Sequence, residues 1–467
     1  MKMDRRSFFA GAAALGAAAP LGGIADDMRG RPPYPEMQPC CRRYGDKFRH
    51  STRHYDHVVV GGGFAGVAAA LASARAGAKT CLLERTNVLG GLSTQGHVVV
   101  FMPLCDGFGR QVTFGIPEEL LRLPMKYSAA RPSPPWESKK GTKAELSKSR
   151  YELVFDPGPM MIGLERLLVD AGVDIFYDCE INSVTTQLGI KVPDCRLWSL
   201  QAAPQYGYDR LSFVAKAFTD ATGSAIVARL CSAQIAEGRE GNSPGGWYYA
   251  VDDERRITLR CGAGKTLKRL SPAEARDYRG DDFDDVSRHT IASRRAILMD
   301  IEEENKRRAA NGQGLLHVFS IPTYATLLKL SRIAGYGDWG PTVGVFSDWR
   351  KKGPVYPLKY GQLVVPGVDN LLVAGRCIAC ADVMWDVVRC LPACCASGQA
   401  AGTAAALFAK GEADKDPQSS EQRSFMSFAA EALKKRLVAD GVRLDDSLLV
   451  PDPEYTGGGE MREEGIF

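Results

Sequence analysis

At 467 residues with a formal net charge of +4, the chain has room for two or three domains and ample burial. It carries no sustained basic stripe and no basic run interleaved with aromatics, which argues against nucleic acid as a partner. The densest charge, Glu302 to Arg308, has the texture of a solvated helix face.

The first residues read Met3-Asp4-Arg5-Arg6-Ser7-Phe8-Phe9, then a mildly apolar Ala/Gly run to Ala19 and small residues around Gly23-Ile-Ala25. This layout predicts a signal peptide over 1–25 with a twin-arginine start, similar to the signals that export proteins already folded. The expected location is periplasmic or otherwise exported. The competing reading is an ordinary tail on a cytoplasmic protein. Removing 1–25, with Lys2, Arg5, Arg6 and Asp4, leaves a net charge of +2. Later apolar runs are too short or too charged to cross a bilayer, so no integral membrane segment is expected after signal removal. Residues 26–54, rich in Pro and Arg with Cys40-Cys41, read as a linker.

From Tyr55 the texture changes. Tyr55-Asp-His-Val-Val-Val predicts a buried strand, and Gly61-Gly-Gly63-Phe64-Ala65-Gly66 leads into an Ala-rich helix. Glycines at this spacing suit a dinucleotide. Gly61 allows the sharp turn, Gly63 lets the backbone approach a pyrophosphate, and Gly66 lets the helix lie close on the sheet. The helix would aim its first N–H groups, from Phe64 and Ala65 onward, and its positive dipole end at the phosphates. A second strand, Thr80 to Leu83, ends at Glu84-Arg85, an acid where a ribose hydroxyl needs an acceptor. Next comes Asn87-Val-Leu-Gly90-Gly91-Leu-Ser93, a glycine pair able to close a second loop over the same pyrophosphate, and this pair favours FAD over NAD. The bland alternative is a glycine turn in an ordinary βαβ unit.

Further along, a helix leads to a strand at Val173 to Tyr177, and the apolar run Phe213 to Phe218 ends in Asp220-Ala221-Thr222-Gly223. Residues 236–345 differ: they hold Trp247-Tyr-Tyr, a strand at Arg256 to Arg260, an acidic loop from Asp277 to Asp285 and a long helix from about Arg288 to Asn311. Leu371 to Ala374 predicts a buried strand ending in Gly375-Arg376. After it, Gly398-Gln399-Ala400-Ala-Gly402 predicts a helix of small residues, explained either by a cofactor against its N-terminus or by plain close packing. In the tail, Ser424 to Ala439 predicts an amphipathic helix packed on the core, with Phe428, Ala432 and Leu437 on its apolar side.

Taken together these motifs resemble the FAD-dependent oxidoreductases whose flavin domain is shared with fumarate reductase flavoproteins and the flavin subunit of heterodisulfide reductase. The resemblance also rests on Gly107-Phe-Gly-Arg-Gln-Val-Thr-Phe-Gly-Ile-Pro-Glu-Glu-Leu, Phe155-Asp-Pro, Ala171-Gly-Val-Asp-Ile, Gly353-Pro-Val-Tyr356 and Pro392-Ala-Cys-Cys-Ala-Ser-Gly398, and it spans Tyr55 to Gly411. It implies an α/β fold: a discontinuous Rossmann-like FAD-binding domain, 55–235 and 346–411, with an inserted α+β substrate or cap domain, 236–345, and a tail, 412–467. The implied cofactor is FAD. The implied cofactor contacts are Gly61, Gly63, Phe64, Ala65, Gly66, Glu84, Arg85, Gly90, Gly91, Ser93, Ala221, Thr222, Gly223, Gly375, Arg376, Gly398, Gln399 and Ala400.

Between Arg376 and Gly398 the family places a histidine and an arginine facing the flavin. The arginine persists as Arg389, while the histidine position holds Asp382. Arg389 is the candidate for gripping an anionic substrate or the reduced flavin. Asp382 is the candidate proton carrier if desolvation raises its pKa, with an ion pair to Arg389 or Arg376 as the structural alternative. In the cap, Arg332-Ile-Ala-Gly335 keeps the family pattern but Leu328-Lys-Leu-Ser331 does not, so fumarate is a poor candidate substrate. His97, after the glycine-pair loop, reads either as a flavin-edge residue or as a satisfied structural histidine.

Thirteen cysteines cannot all pair internally. The group Cys377, Cys380, Cys390, Cys394 and Cys395 matches neither a ferredoxin run nor paired zinc knuckles, so no metal is expected, and unpaired thiols near the flavin or a disulfide account for it. No second complete G-x-G-x-x-G unit supplies a nicotinamide domain. The expected function is therefore hydride or electron transfer between a small organic substrate and an unidentified electron donor or acceptor. Two alternatives stay open: an electron-transfer flavoprotein of the heterodisulfide reductase kind, and a flavin-binding partner without turnover.

Overall fold

The computed structural model describes residues 50–188, 194–204, 210–236, 242–261, 267–280, 282–323, 332–333, 337–412 and 423–457. Residues 1–25, read as a signal, residues 26–49 and Leu328-Lys-Leu-Ser331 lie outside them. Strand β1 (His50–Val60) starts within the stretch read as linker, because residues 50–54 pair in register with 210–214. Their side chains past His50 are polar and mostly exposed, so no apolar pattern marks them as strand.

After β1 come α1 (Phe64–Arg75), β2 (Thr80–Leu83), α2 (Pro157–Asp170), β3 (Asp174–Phe176), β4 (Cys179–Leu188), β5 (Cys195–Pro204) and β6 (Arg210–Asp220). The β-branched run Val58-Val59-Val60 is buried on both faces, as a central parallel strand requires. The third segment of the chain adds β7 (Trp247–Val251), β8 (Ile257–Cys261), α3 (Phe283–Ala310) and β9 (His317–Ser320). The remainder supplies β10 (Thr342–Ser347), β11 (Val355–Lys359), β12 (Leu371–Val373), α4 (Leu391–Lys410) and α5 (Ala430–Ala439).

The main sheet runs β3-β2-β1-β6-β5-β4, with β12 pairing the far half of β6. Contacts among β3, β2, β1, β6 and β12 are parallel, whereas β4, β5 and the near half of β6 are antiparallel. Val60 stands beside Leu83 on one side and Asp220 on the other, and Val373 pairs with Asp220. Four parallel strands, β2, β1, β6 and β12, thus end at one level. In open α/β sheets this carboxyl edge is where ligands gather. Between β6 and β12 in sequence lies a separate antiparallel sheet, β8-β7-β9, with Ile297 of α3 packed on Tyr248 and Ala250.

Helix α4 is buried from Leu391 to Ala409 and lies along α1. A Cβ on Gly398 would strike the Ala65 carbonyl and one on Gly402 the Ala69 carbonyl. These two glycines, one turn apart, let the helix backbones touch. The helix predicted from Gly398 therefore begins two turns earlier, at Leu391, with Pro392 in its first turn.

Two other helices shift their starts. α3 opens at Phe283, because Asp282 accepts the Asp285 N–H and Asp284 and Asp285 fill the first turn, so part of the acidic loop is the cap. α5 opens at Ala430 and not Ser424, because the Phe425 N–H donates to Asp369 O at 2.8 Å and Phe425 stacks on Phe408 with ring centroids 4.3 Å apart.

Candidate functional site

The first loop is built by its glycines. Gly61 has φ +102°, and its N–H donates to Leu83 O at 2.8 Å, so the turn is tied to the end of β2. A Cβ on Gly66 would run into the Gly61 carbonyl, which explains that glycine by packing alone. Gly63 is different. A Cβ there would meet no protein atom within 4 Å, and its φ of −68° is open to any residue. It also serves as N-cap of α1, whose first turn has neither a side-chain cap nor an acidic residue. Uncapped N–H groups beside open space form an anion cradle. The side chains of Phe64 and Ala65 themselves face the core, Phe64 edge-on to Phe101 at 5.8 Å.

The second loop lies against the first. Gly90 N–H donates to Gly62 O at 2.9 Å, and Gly63 and Gly90 form an isolated parallel bridge. Gly90 and Gly91 both have positive φ, and a Cβ on Gly91 would sit 3.4 Å from Gly63 Cα. Ser93, buried, ends the turn with its N–H on Gly90 O. Glu84 is 8% exposed and joins both loops. Its Oε2 accepts from Gly62 N–H at 2.6 Å, and its Oε1 accepts from the N–H and hydroxyl of Thr86 at 2.9 and 2.8 Å. The sequence reading missed Thr86, whose signal is a hydroxyl residue two positions past the acid. Arg85 is exposed.

The third component is the Asp220 turn. Ala221 N–H donates to Val60 O at 2.8 Å, and the Ala221 carbonyl sits where a Gly61 Cβ would go. Asp220, wholly buried, accepts from the Thr222 N–H and hydroxyl and from the N–H groups of Val227 and Ala228. Burial pushes its pKa up, and those four donors oppose the shift. Gly223, with φ +73°, leaves room for the Arg376 guanidinium, whose Nη2 lies 3.1 Å from an ideal Cβ.

Gly375, φ +81°, donates its N–H to Ser397 Oγ at 2.9 Å and fits against Ala65. Beside it Arg376 is half-buried, with no hydrogen bond or carboxylate among the described residues. Burial first, and then the positive charges of Arg389 and Arg85, hold its pKa below the usual arginine range. Arg389 pairs with Asp386 at 3.1 Å and lies over the Trp385 ring at 5.2 Å. Asp382 is exposed, and the carboxylate on Arg389 is that of Asp386. Gln399 accepts the Ile116 N–H at 2.9 Å, and Ala400 is fully buried in the helix. Gly398, Gln399 and Ala400 are thus held by helix packing, and the N-terminal turn nearest Gly375 is that of Cys394, whose Sγ lies 3.8 Å from an ideal Gly375 Cβ.

Residues 56–326 and 341–419 match the family described as FAD dependent oxidoreductase. The chain belongs to this FAD-dependent oxidoreductase family. Solved structures it is similar to include a geranylgeranyl bacteriochlorophyll reductase-like protein from Thermoplasma acidophilum, at 12% identity over 84% of this chain and 86% of that one, TM-score 0.40. A flavoprotein/dehydrogenase from Cytophaga hutchinsonii aligns at 13% identity over 77% and 79% of the two chains, TM-score 0.40. A p-nitrophenol 4-monooxygenase from Pseudomonas putida aligns at 12% identity over 84% and 88%, TM-score 0.40.

The site's residues fit FAD: an open cradle at Gly63, a capless helix start, a second glycine loop beside it and an arginine with no carboxylate among the described residues. In this FAD-dependent oxidoreductase His97 stands where the glycine-pair loop meets the second sheet. Its φ is +56°, its Nε2 lies 3.2 Å from Ser320 Oγ and its ring packs on Tyr249. Burial lowers its pKa, which matches a neutral structural histidine. Cys377, Cys390, Cys394 and Cys395 are buried free thiols, and among the described residues no group of three His, Cys, Asp or Glu side chains is placed to hold a metal.

Proposed function

We propose that this FAD-dependent oxidoreductase moves a hydride or electrons between a small organic substrate and a separate electron partner, in an exported location. FAD, when bound, supplies the redox chemistry itself. The observation that carries the reading is Arg376, which has no carboxylate among the described residues and feels the positive charges of Arg389 and Arg85. A guanidinium with no carboxylate among the described residues, at the carboxyl edge of parallel strands, calls for an anion. Phosphates answer Arg376. Arg389, oriented by Asp386 and Trp385, is the residue left to hold a substrate carboxylate or enolate, and Asp382 reaches a reacting group only if a substrate covers it and removes its water.

A screen of small carboxylic and keto acids with a dye acceptor tests the assignment: turnover with an anionic substrate, competed by its non-reactive analogues, supports it. Photoreducible FAD without turnover on any class of anion would favour a non-catalytic flavin protein. The export part rests on Arg5-Arg6 ahead of a weakly apolar run. Arg5→Lys with Arg6→Lys should hold the precursor in the cytoplasm, and normal processing of that variant would remove this part alone.

A further inference from the structure

The loop that begins at the glycine pair also carries the second sheet. On the cradle side, Gln95 Nε2 donates to Thr86 Oγ1 at 2.8 Å. The Thr86 hydroxyl donates to Glu84 Oε1 at 2.8 Å, and the other oxygen of that carboxylate accepts the Gly62 N–H. On the far side, the Gln95 carbonyl accepts the Thr323 N–H at 3.0 Å, just past the end of β9. Two residues on, His97 Nε2 lies 3.2 Å from Ser320 Oγ, and its ring packs on Tyr249 of β7 with centroids 5.0 Å apart. Ser320 and Tyr249 are partners in the pairing of β9 with β7. A run of hydrogen bonds thus leads from Gly62, through Glu84, Thr86 and Gln95, to the second sheet.

The sheet has a small core of its own, Tyr248, Ala250, Ile297 and Leu316, separate from the main one. Of the described apolar side chains on β7, β8 and β9, Tyr249 and Leu259 pack against the main core, and Tyr249 is the one that His97 touches. Regions held by few buried contacts open at low free energy. The loop beneath the sheet is free at its start, because Gly90 and Gly91, at φ +97° and +54°, adopt such angles as readily as negative ones. His97 lacks that freedom. Its φ of +56° is unfavourable for a residue with a side chain and persists where surrounding contacts impose it. The described contacts of its side chain are those to Ser320 and Tyr249.

We propose that Gln95 and His97 are positioning residues through which bound FAD fixes the second sheet. The inference rests on the reading of the two glycine loops as the FAD cradle. When both loops hold the pyrophosphate, Gly90 and Gly91 lose their freedom, and the Gln95 carbonyl and the His97 ring are presented to Thr323, Ser320 and Tyr249 in one arrangement. Without FAD the same groups sample several arrangements, and β7 and β9 lose their seat. The coupling is reciprocal: a sheet held in place must slow the loss of FAD as FAD slows the opening of the sheet.

Hydrogen exchange, read by mass on peptides covering 247–251 and 317–323, is compared between FAD-loaded, stripped and reloaded protein, with flavin absorbance as the measure of loading. Loading should slow exchange in both segments about tenfold, within the usual range for coupled sites, while peptides of α4 change little. His97→Gly removes the ring and suits the left-handed backbone, and Ser320→Ala removes the hydroxyl on the sheet, either one serving if the other fails to fold. At saturating FAD each should exchange faster at 317–323 than loaded wild type and release FAD faster, and the difference between its loaded and stripped forms should shrink. Gln95→Ala, which cuts the tie to Thr86 and keeps the carbonyl, should shrink that difference too. A contact that merely stabilises the sheet would speed exchange in both forms alike, and that result would overturn the proposal, as would equal exchange in loaded and stripped wild type. If stripping opens α4 as well, the loaded variants decide: wild-type protection at 317–323 in loaded His97→Gly and Ser320→Ala overturns it. Protein whose absorbance shows that it binds no FAD would overturn the cofactor reading, and the link with it.

Discussion

The Gly62 N–H donates to Glu84 Oε2 at 2.6 Å, so the acid at the end of β2 holds the glycine loop before any ribose reaches it. Its other oxygen holds Thr86, which fixes the start of the loop leading to Gly90-Gly91. Glu84→Ala leaves the Gly62 and Thr86 N–H groups without an acceptor, at a cost of about 1–3 kcal/mol. The expected result is a melting temperature lower by several degrees and a reduced FAD-to-protein ratio in the visible spectrum. Glu84→Gln, which retains an acceptor oxygen, should recover most of both. Wild-type FAD content and stability in Glu84→Ala would mean that the carboxylate organises neither loop.

Gly63 and Gly66 separate cofactor from packing. A side chain at Gly66 collides with the Gly61 carbonyl, so Gly66→Val should yield insoluble or unfolded protein. At Gly63 nothing in the protein opposes a side chain, so Gly63→Val should fold with a melting temperature close to that of the apoprotein. It should be colourless, because the valine fills the space against which the pyrophosphate lies. A tenfold loss of FAD affinity, about 1.4 kcal/mol, is the least expected. Wild-type FAD occupancy in Gly63→Val would remove the cradle from this loop.

His57 sets a pH dependence. It is wholly buried, its Nε2 lies 2.8 Å from Thr219 Oγ1, and burial pulls its pKa down to about 3. Unfolded, it titrates near about 6.5. The unfolded chain therefore binds a proton that the folded one refuses, so stability is full above about pH 6.5 and falls as pH drops toward 3. The slope is about 1.4 kcal/mol per pH unit, roughly 2 kcal/mol between pH 6.5 and 5. Burial lowers the pKa of His97 and His289 as well, which adds in the same direction. Urea midpoints across this range should show the loss, and His57→Gln should flatten it. An equal slope in wild type and variant would place the titration elsewhere.

How much of this was legible in the sequence depends on what each residue type forces. Gly61, Gly66 and Glu84 were readable because a sharp turn, a close helix and a strand-end acceptor each admit few residue types. The first strand's start at His50 was not, since its backbone pairing with β6 leaves polar side chains in water and so no period to read. The α4 start was hidden by composition: Ala, Cys and Gly run through Leu391 to Gly402 without a boundary, and Gly398 marks a helix contact in mid-course. Asp386 illustrates the limit for side chains. Asp382 and Asp386 flank the same Trp385 turn, and only the fold decides that the Asp386 carboxylate lies on Arg389.

Arg389 gives the sharpest test of the proposed chemistry. It sits on the turn joining the Gly375-Arg376 strand end to α4, stacked on Trp385 and paired to a half-exposed Asp386. A partly exposed pair contributes little to folding, about 0–1 kcal/mol, so Arg389→Ala should keep its melting temperature within a few degrees and retain FAD. A charge-assisted contact to a substrate anion is worth about 1.5–3 kcal/mol, so turnover should fall roughly ten- to a hundredfold. Arg389→Lys restores the charge without the planar fork and should recover only part of the loss, chiefly in KM. Asp386→Asn, which frees Arg389 from its orienting carboxylate, should lower turnover less than Arg389→Ala while leaving FAD content unchanged. Steady-state kinetics of the three variants, with flavin absorbance as the loading control, would show whether Arg389 meets the substrate. Undiminished kcat and KM in Arg389→Ala would mean that it serves the turn alone.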